Sequence, residues 1–306
     1  MQYAPELVLE VNRVFHDYEQ ASYDRTHPEI IRDEVERWRQ ISQRFVGSMK
    51  RPLRVLDLGS GTGFVPLQLG PLLGANDVLV CSDISERMLD VCRQTMTSRY
   101  PGLTVEYLNL DGKRLEQPDA SLDVVTMNSV LHHLPDFGFL RELDRVIKPG
   151  GRLIICHEHN RAFYTNPILV ANFFLFFVLC HPEKLINKFR RRAPVNAADE
   201  TFYRQVNHTL LEQDVIQQPM TKNQINEIVD IHSPFAGGRF HRGRGIDIEA
   251  LRRRYLPNFA GEYFSTYGHL DSLTNRNCFT RFWSRFLGWL LPLSGATFAA
   301  VFRKRA

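Results

Sequence analysis

Arg54-Val-Leu-Asp-Leu-Gly59-Ser-Gly61-Thr-Gly63 is the stretch on which the reading of this 306-residue chain turns. Residues 54–58 form a short apolar run with one acid, and such a run closed by glycines predicts a buried strand. Three glycines in five residues follow, and then an apolar segment that predicts a helix over 64–73. Glycines at such a junction let the backbone take positive φ and let a ligand approach without a Cβ in the way. Outward from it, 77–83 predicts a second strand and 85–98 a second helix, with Ser85 as its cap. Strands follow over 103–109 and 122–128, then a helix over 136–146. The turn Lys148-Pro-Gly-Gly151 leads into a fifth strand at 152–157. Strands alternating with helices predict an α/β fold, a parallel sheet covered on both faces.

The flanks read differently. Residues 10–46 predict helices, the second opening at Pro28, where proline suits a first turn. After residue 160 the alternation stops. Residues 161–245 predict a long, irregular insert after strand five, helical and aromatic-rich, broken by Pro167, Pro182, Pro194, Pro219 and Pro234. Regularity returns with a helix at 246–255 and strand-like runs at 259–266 and 296–302. The expected division is a helical segment 1–50 closing over a ligand, a binding core 51–160, an acceptor-binding insert 161–245, and a part completing the sheet, 246–306.

The glycine loop has acids placed around it. Asp57 precedes it, and Asp83 ends the next strand 20 residues after Gly63, where a carboxylate can accept from ribose hydroxyls. Asp111 follows the third strand. The loop is not the dinucleotide fingerprint, because Phe64 stands where a third spaced glycine would be. No Gly-Lys-Ser/Thr follows, so it is not a P-loop.

These segments together (VLDLGSGTG, SDISERML, NLDG, LDVVTMNSVLHHLPD and LDRVIKPGGRLII, over Val55 to Ile155) resemble the class I S-adenosylmethionine-dependent methyltransferases, small-molecule branch, which includes the quinone-biosynthesis methyltransferases. The resemblance implies a Rossmann-like, doubly wound seven-stranded sheet whose last strand is antiparallel. It implies S-adenosyl-L-methionine as cofactor and S-adenosyl-L-homocysteine as product. Gly59, Ser60, Gly61 and Gly63 would border its methionine part, with Asp57 organising the loop and the amino group. Asp83 would hold the ribose, and Ile84 and Met88 would pack on the adenine. Asp111 and Gly112 would meet the adenine edge, and Asn128 and Ser129 would lie near the sulfonium. Tyr18 and Tyr23 would close over the cofactor.

Methyl transfer from a sulfonium is an in-line displacement, so the protein chiefly aligns nucleophile and methyl. A general base helps when the acceptor is a hydroxyl, phenol or carbon acid, and histidine is the usual choice. His132 and His133 follow the fourth strand and His157 and His159 the fifth, and all four are candidates. His-x-His lacks an identifiable third ligand, so no metal is expected. The motif for methylating nucleobase amines, Asn/Asp-Pro-Pro-aromatic, is absent after strand four, and no Pro-Cys supplies a cytosine nucleophile. The basic groups at 190–192, 239–244 and 252–254 are scattered, so nucleic acid is not the expected partner.

Charge and aromatics are skewed along the chain. Residues 1–155 hold 18 Lys and Arg against 22 Asp and Glu; residues 156–306 hold 20 against 12, and 16 of the 21 phenylalanines. A basic, aromatic second half suits a small apolar or amphiphilic acceptor, with O- or C-methylation ahead of N-methylation. Phe173, Phe177, Arg239 and Arg242 are the candidate acceptor contacts. The apolar run 167–180 is too short to span a bilayer. It reads as a lid, as core or as an anchor at a membrane surface. Five cysteines without a Cys-x-x-Cys pair, and no secretory leader in the N-terminal residues, predict a reducing, cytoplasmic setting with peripheral membrane contact open. The competing reading is a silent binding module that keeps the cofactor pocket as a partner of another protein. A nicotinamide-dependent oxidoreductase conflicts with Phe64. Oligomeric state is not legible.

Overall fold

A computed structural model describes residues 3–20, 28–110, 114–180, 197–270 and 278–306. Two helices lead the chain, α1 (Pro5–Glu19) and α2 (Pro28–Phe45), and Pro28 opens the second as expected. The core then alternates β1 (Arg54–Leu58), α3 (Phe64–Leu69), β2 (Val78–Asp83), α4 (Glu86–Arg99), β3 (Thr104–Asn109), β4 (Leu122–Asn128), α5 (Leu140–Val146) and β5 (Ile147–His159). Next come α6 (Arg161–Thr165), α7 (Pro167–Cys180), α8 (Ala197–Glu212), α9 (Lys222–Val229), α10 (Ile248–Tyr255), β6 (Phe259–Tyr267), α11 (Cys278–Leu290) and β7 (Thr297–Lys304).

The seven strands make one sheet in the order β3-β2-β1-β4-β5-β7-β6. Strands β1 to β5 pair in parallel, and β7 enters antiparallel between β5 and β6. Chain order reverses at β1, so the carboxyl ends of β1, β2 and β4 flank a topological switch point, the place where open α/β sheets bind ligands. The strand period of two divides the core cleanly. Val55, Val124 and Ile154 join Trp38 and Leu89 on one face, while Leu56, Val125 and Ile155 join Leu143 and Leu251 on the other.

Several local expectations shift in physically explicable ways. The helix after the glycine loop tightens into a 3-10 turn at Gly70–Leu72, because Gly70-Pro71 cannot continue it. Helix α5 starts at Leu140 rather than 136, since the Asp136 carboxylate accepts from the Gly138 amide and holds a turn there. The residues read as a turn, 148–151, lie within a bulged β5, where Gly150 takes φ 81°.

The insert 161–245 is helical as expected, and more regular than its prolines suggest: α6, α7, α8 and α9 account for most of its described part. Pro167 begins α7 in its first turn, whereas Pro219 lies in the loop two residues before the Thr221 cap of α9. Thr221 and Gln224 form a reciprocal capping box at α9. The insert also divides in two. Helices α8 and α9 bury Val206, Leu210, Ile225 and Ile228 against Val8, Val11 and Val14 of α1. Helices α6 and α7 pack instead with α11 through Phe163, Phe173, Phe176 and Leu287.

Candidate active site

Where β1 ends, Gly59, Gly61 and Gly63 take φ of 71°, 52° and 103°. Gly59 has a second constraint: a Cβ there would stand 2.5 Å from Val130 Cγ2. The loop is fastened from below. The Ser60 amide donates to the Ser82 carbonyl at 2.8 Å, and the Ser60 hydroxyl donates to the Asp57 carbonyl. It is fastened from the side by Asp83, whose two carboxylate oxygens accept from the Gly61 amide at 2.8 Å and the Ser85 amide at 2.9 Å. The Ser85 hydroxyl accepts from the Met88 amide to cap α4, as the sequence suggests, and donates to Asp17 of α1 at 2.6 Å.

A cleft with an empty volume of about 890 Å³ opens there. Its walls include Gly59, Gly61, Asp83, Ile84, Met88, Asn128, Ser129 and His133 from the expected set. They also include Leu9, Asn12 and His16 of α1, with Leu110, Leu134 and Phe139, none of which sequence reasoning singled out. Leu9, Asn12 and His16 stand at i, i+3 and i+7, the spacing of one helix face, but spacing alone does not say which face of α1 meets the cleft. Tyr18 lies elsewhere on α1: its hydroxyl shares a 2.8 Å hydrogen bond with Thr209, and Arg87 sits over its ring. Tyr23, Asp111 and Gly112 lie outside the described residues.

Asp57 is fully buried beside Thr126 of β4, whose hydroxyl donates to its Oδ1 at 2.5 Å. Among the described residues its Oδ2 is buried without a donor, and so is Oδ1 of Asn12 in the cleft wall. Burial, with the Asp83 charge adding to it, pushes the Asp57 carboxyl up to about 7. A folded-state value above the unfolded one favours the protonated form. The stability that this proton contributes is full below about pH 4 and is lost as pH rises through 7, up to about 4 kcal/mol. Ligand-free protein therefore melts lower at pH 8 than at pH 5, and Asp57→Asn, which cannot ionise, narrows the gap. Equal gaps in the two proteins would show that Asp57 does not titrate there.

The four histidines occupy separate environments. His132 and His133 sit in a short 3-10 turn after β4 with ring centroids 4.0 Å apart. His132 Nδ1 hydrogen-bonds Glu158 Oε2 at 2.8 Å, and Glu158 also accepts from the Val130 and Leu131 amides. His133 Nδ1 donates to the Val229 carbonyl at 2.8 Å. Burial lowers His132 to about 3 and holds His133 well below the usual histidine value, so both rings are neutral near pH 7. His157 takes φ 57° beside a bulge in β5 and lies 3.4 Å from the buried Glu34, in a group with Arg37 and Tyr267. His159 contacts the Tyr164 and Ser233 hydroxyls, with its ring centroid 5.6 Å from that of His132. The cleft wall thus receives His133, and not His132, His157 or His159.

The expected acceptor contacts do not reach this wall either. Phe173 is buried and Phe177 half-buried in the α6–α7–α11 cluster, while Arg239 and Arg242 are exposed. Asn128 accepts at 2.9 Å from the indole of buried Trp38, which ties α2 to the end of β4.

The sequence profile of the ubiE/COQ5 methyltransferase family matches residues 5–188. The chain belongs to the ubiE/COQ5 methyltransferase family. It is similar to the ubiquinone/menaquinone biosynthesis C-methyltransferase UbiE of Azotobacter vinelandii, 32% identical over 146 residues, covering 47% of this chain and 57% of that protein. It is 29% identical over 174 residues to the demethylmenaquinone methyltransferase of a Staphylococcus aureus strain, 56% of this chain and 69% of that protein. The chain therefore spans about three fifths of the length of these relatives. A chain from the solved complex between the Haloferax volcanii Trm112 methyltransferase activator and its methyltransferase aligns over 95% of this chain and 98% of its own. It does so at a TM-score of 0.52 and 15% identity, a likeness of fold alone. In this ubiE/COQ5 member the His pair also approaches Asp230: ligand atoms of His132, His133 and Asp230 lie within 4.8 Å of one another. That is the third candidate ligand that spacing alone did not offer, and it joins His132 and His133 rather than His157 and His159. Neutral imidazoles can ligate a cation or accept a proton, and an assay with a chelator separates the two.

Proposed function

We propose that the chain transfers a methyl group from S-adenosyl-L-methionine to a ring carbon of a small, apolar hydroquinone-type acceptor, with His133 as general base. The observation that carries this is His133 in the wall of the glycine-loop cleft, neutral and with Nδ1 donating to Val229, so that Nε2 holds the lone pair. The residues suit the donor. Asn12 Oδ1, in the cleft wall, is a buried acceptor short of a donor among the described residues, which an ammonium group supplies, and a Cβ at Gly61 would meet nothing within 4 Å. Carbon as the methylated atom, and a quinone precursor as the acceptor class, follow the names of the relatives.

The sulfonium supplies an activated methyl with a neutral thioether as leaving group. The chain contributes alignment and proton removal. Asp83 and the glycine loop hold the donor, and the apolar Leu9, Leu134 and Phe139 keep water from the acceptor ring. His133 Nε2 takes the phenolic proton, which enriches the ortho carbon with electrons for the displacement. The ortho-carbon proton then leaves to solvent, which restores the aromatic ring as a phenolate; His133 returns its proton to that oxygen, and the products are the methylated quinol, S-adenosyl-L-homocysteine and one released proton.

The test incubates the protein with methyl-labelled donor and short-chain demethylmenaquinol. Label on a ring carbon, with matching S-adenosyl-L-homocysteine and no loss of rate in a chelator, is the expected outcome. Label on oxygen removes the carbon assignment. Donor that binds and is never consumed by any quinol tried removes the enzyme reading, and chelator sensitivity removes His133 as a metal-free base.

A further inference from the structure

Of the twelve large apolar side chains that stand exposed among the described residues, eleven lie on α7, α11 or the turn after α11; the other is Phe264 of β6. Such side chains scattered singly are ordinary, but a contiguous group marks a contact surface. The two helices touch along Phe176–Phe279, with ring centroids 6.1 Å apart, and through the Trp283 indole donating to Asn172 at 3.4 Å, so their outward sides adjoin.

Both helices run against the pattern of a water-facing helix. Helix α7, Pro-Ile-Leu-Val-Ala-Asn-Phe-Phe-Leu-Phe-Phe-Val-Leu-Cys, is apolar all round and yet half of it faces out, with Leu175 56% and Leu179 64% exposed. In α11 the pattern is inverted. Thr280 and Ser284 are buried, while Phe282 is 65% and Trp289 77% exposed. Threonine and serine would tolerate water at no cost, so aromatic rings on the outside imply that the outside of α11 is not water.

We propose that this α7–α11 face seats in the interface of an anionic lipid bilayer. Its charge selects lipid over a second copy of the chain. Arg281 and Arg285 stand exposed one turn apart beside the aromatic stripe, and neither makes an ion pair with a described residue. A symmetric dimer through this face would bury four guanidinium groups without partners, which is costly. At a membrane the same two groups reach the phosphates while the rings enter the acyl boundary. The twelve residues that follow α7 in the sequence carry five Lys and Arg against one Glu, adding attraction to an anionic surface. No described helix is long and apolar enough to cross a bilayer, and α7, at about 21 Å, is shorter than the hydrocarbon core, so the helices lie in the plane of the interface. The assignment stands apart from the identity of the acceptor.

The full chain is floated with phosphatidylglycerol–phosphatidylcholine vesicles and with phosphatidylcholine alone. Wild type is expected to float with the anionic vesicles, with a blue shift in tryptophan emission. Phe282→Ser/Trp289→Ser, at exposed positions, is expected to lower the partition coefficient at least tenfold while leaving the melting temperature and donor affinity unchanged. Arg281→Glu/Arg285→Glu is expected to lower it and to flatten its salt dependence. Wild type that stays unbound, a double aromatic variant that binds normally, equal binding to zwitterionic vesicles, or a solution dimer that the aromatic variant splits into monomers would each overturn the proposal.

Discussion

Changing His133 to Ala lowers kcat by about 10²- to 10³-fold while the donor Kd stays within about twofold. His133 is the histidine in the cleft wall, and its one defined hydrogen bond, to the Val229 carbonyl, fixes which nitrogen can accept a proton. The ring is held well below the usual histidine value, first by burial and then by the neighbouring His132. Free His133 is therefore already neutral at pH 6, and acidification from pH 8 to 6 does not remove the base. When His133 gains a proton, the Asp230 carboxylate 3.5 Å away offsets part of the new charge. Asp230→Asn should consequently lower kcat as well, by less than His133→Ala, and leave the acceptor KM nearly unchanged. A kcat in His133→Ala equal to that of wild type would end its role as the base. A kcat that falls with protonation of a group near pH 6.5 would move that role to a histidine with an ordinary value.

Asp83→Ala weakens donor binding by about 100-fold or more, because the carboxylate has two jobs. In the proposed complex it accepts from the ribose hydroxyls, charge-assisted bonds whose loss costs roughly 1–3 kcal/mol. In the structure without ligand it already holds the Gly61 amide and the Ser85 amide, which join the glycine loop to the start of α4. Alanine leaves both amides without that acceptor and frees a loop whose three glycines have little conformational preference of their own. Asp83→Asn keeps one acceptor oxygen and turns the other into a donor facing an amide, so its affinity falls between wild type and Ala. Calorimetry on folded variants measures this order. Affinity unchanged in Asp83→Ala would take Asp83 out of the binding site.

The sheet and the glycine loop were legible because their signals are local. A strand buried on both faces is a continuous apolar run, as in Val124-Val-Thr-Met127, and a strand-to-helix junction with positive φ needs glycine at Gly59, Gly61 and Gly63. Ser85 could be read as a cap because capping needs only a hydroxyl three residues before an amide. The helical character of the insert was legible, but its helix boundaries were not, because a proline that opens a helix, as Pro167 does, and a proline in a loop look alike in one dimension.

The cleft residues from α1 and the sorting of the histidines belong to tertiary structure. Nothing local to Leu9, Asn12 or His16 distinguishes the face of α1 that meets the cleft from the face that packs on Val206 and Ile225. Four histidines near two strand ends look equivalent in one dimension. A register shift between Cys156 and Glu158, with φ 57° at His157, sends His157 toward Glu34 and leaves Glu158 under His132. The carbonyl that orients His133 comes from Val229, 96 residues away. Residue type and spacing determine where a strand ends and what a loop can hold, because those depend on a few neighbouring dihedrals. Which side chain faces the cleft, and in which protonation state, depends on burial and on partners that only the folded chain brings together.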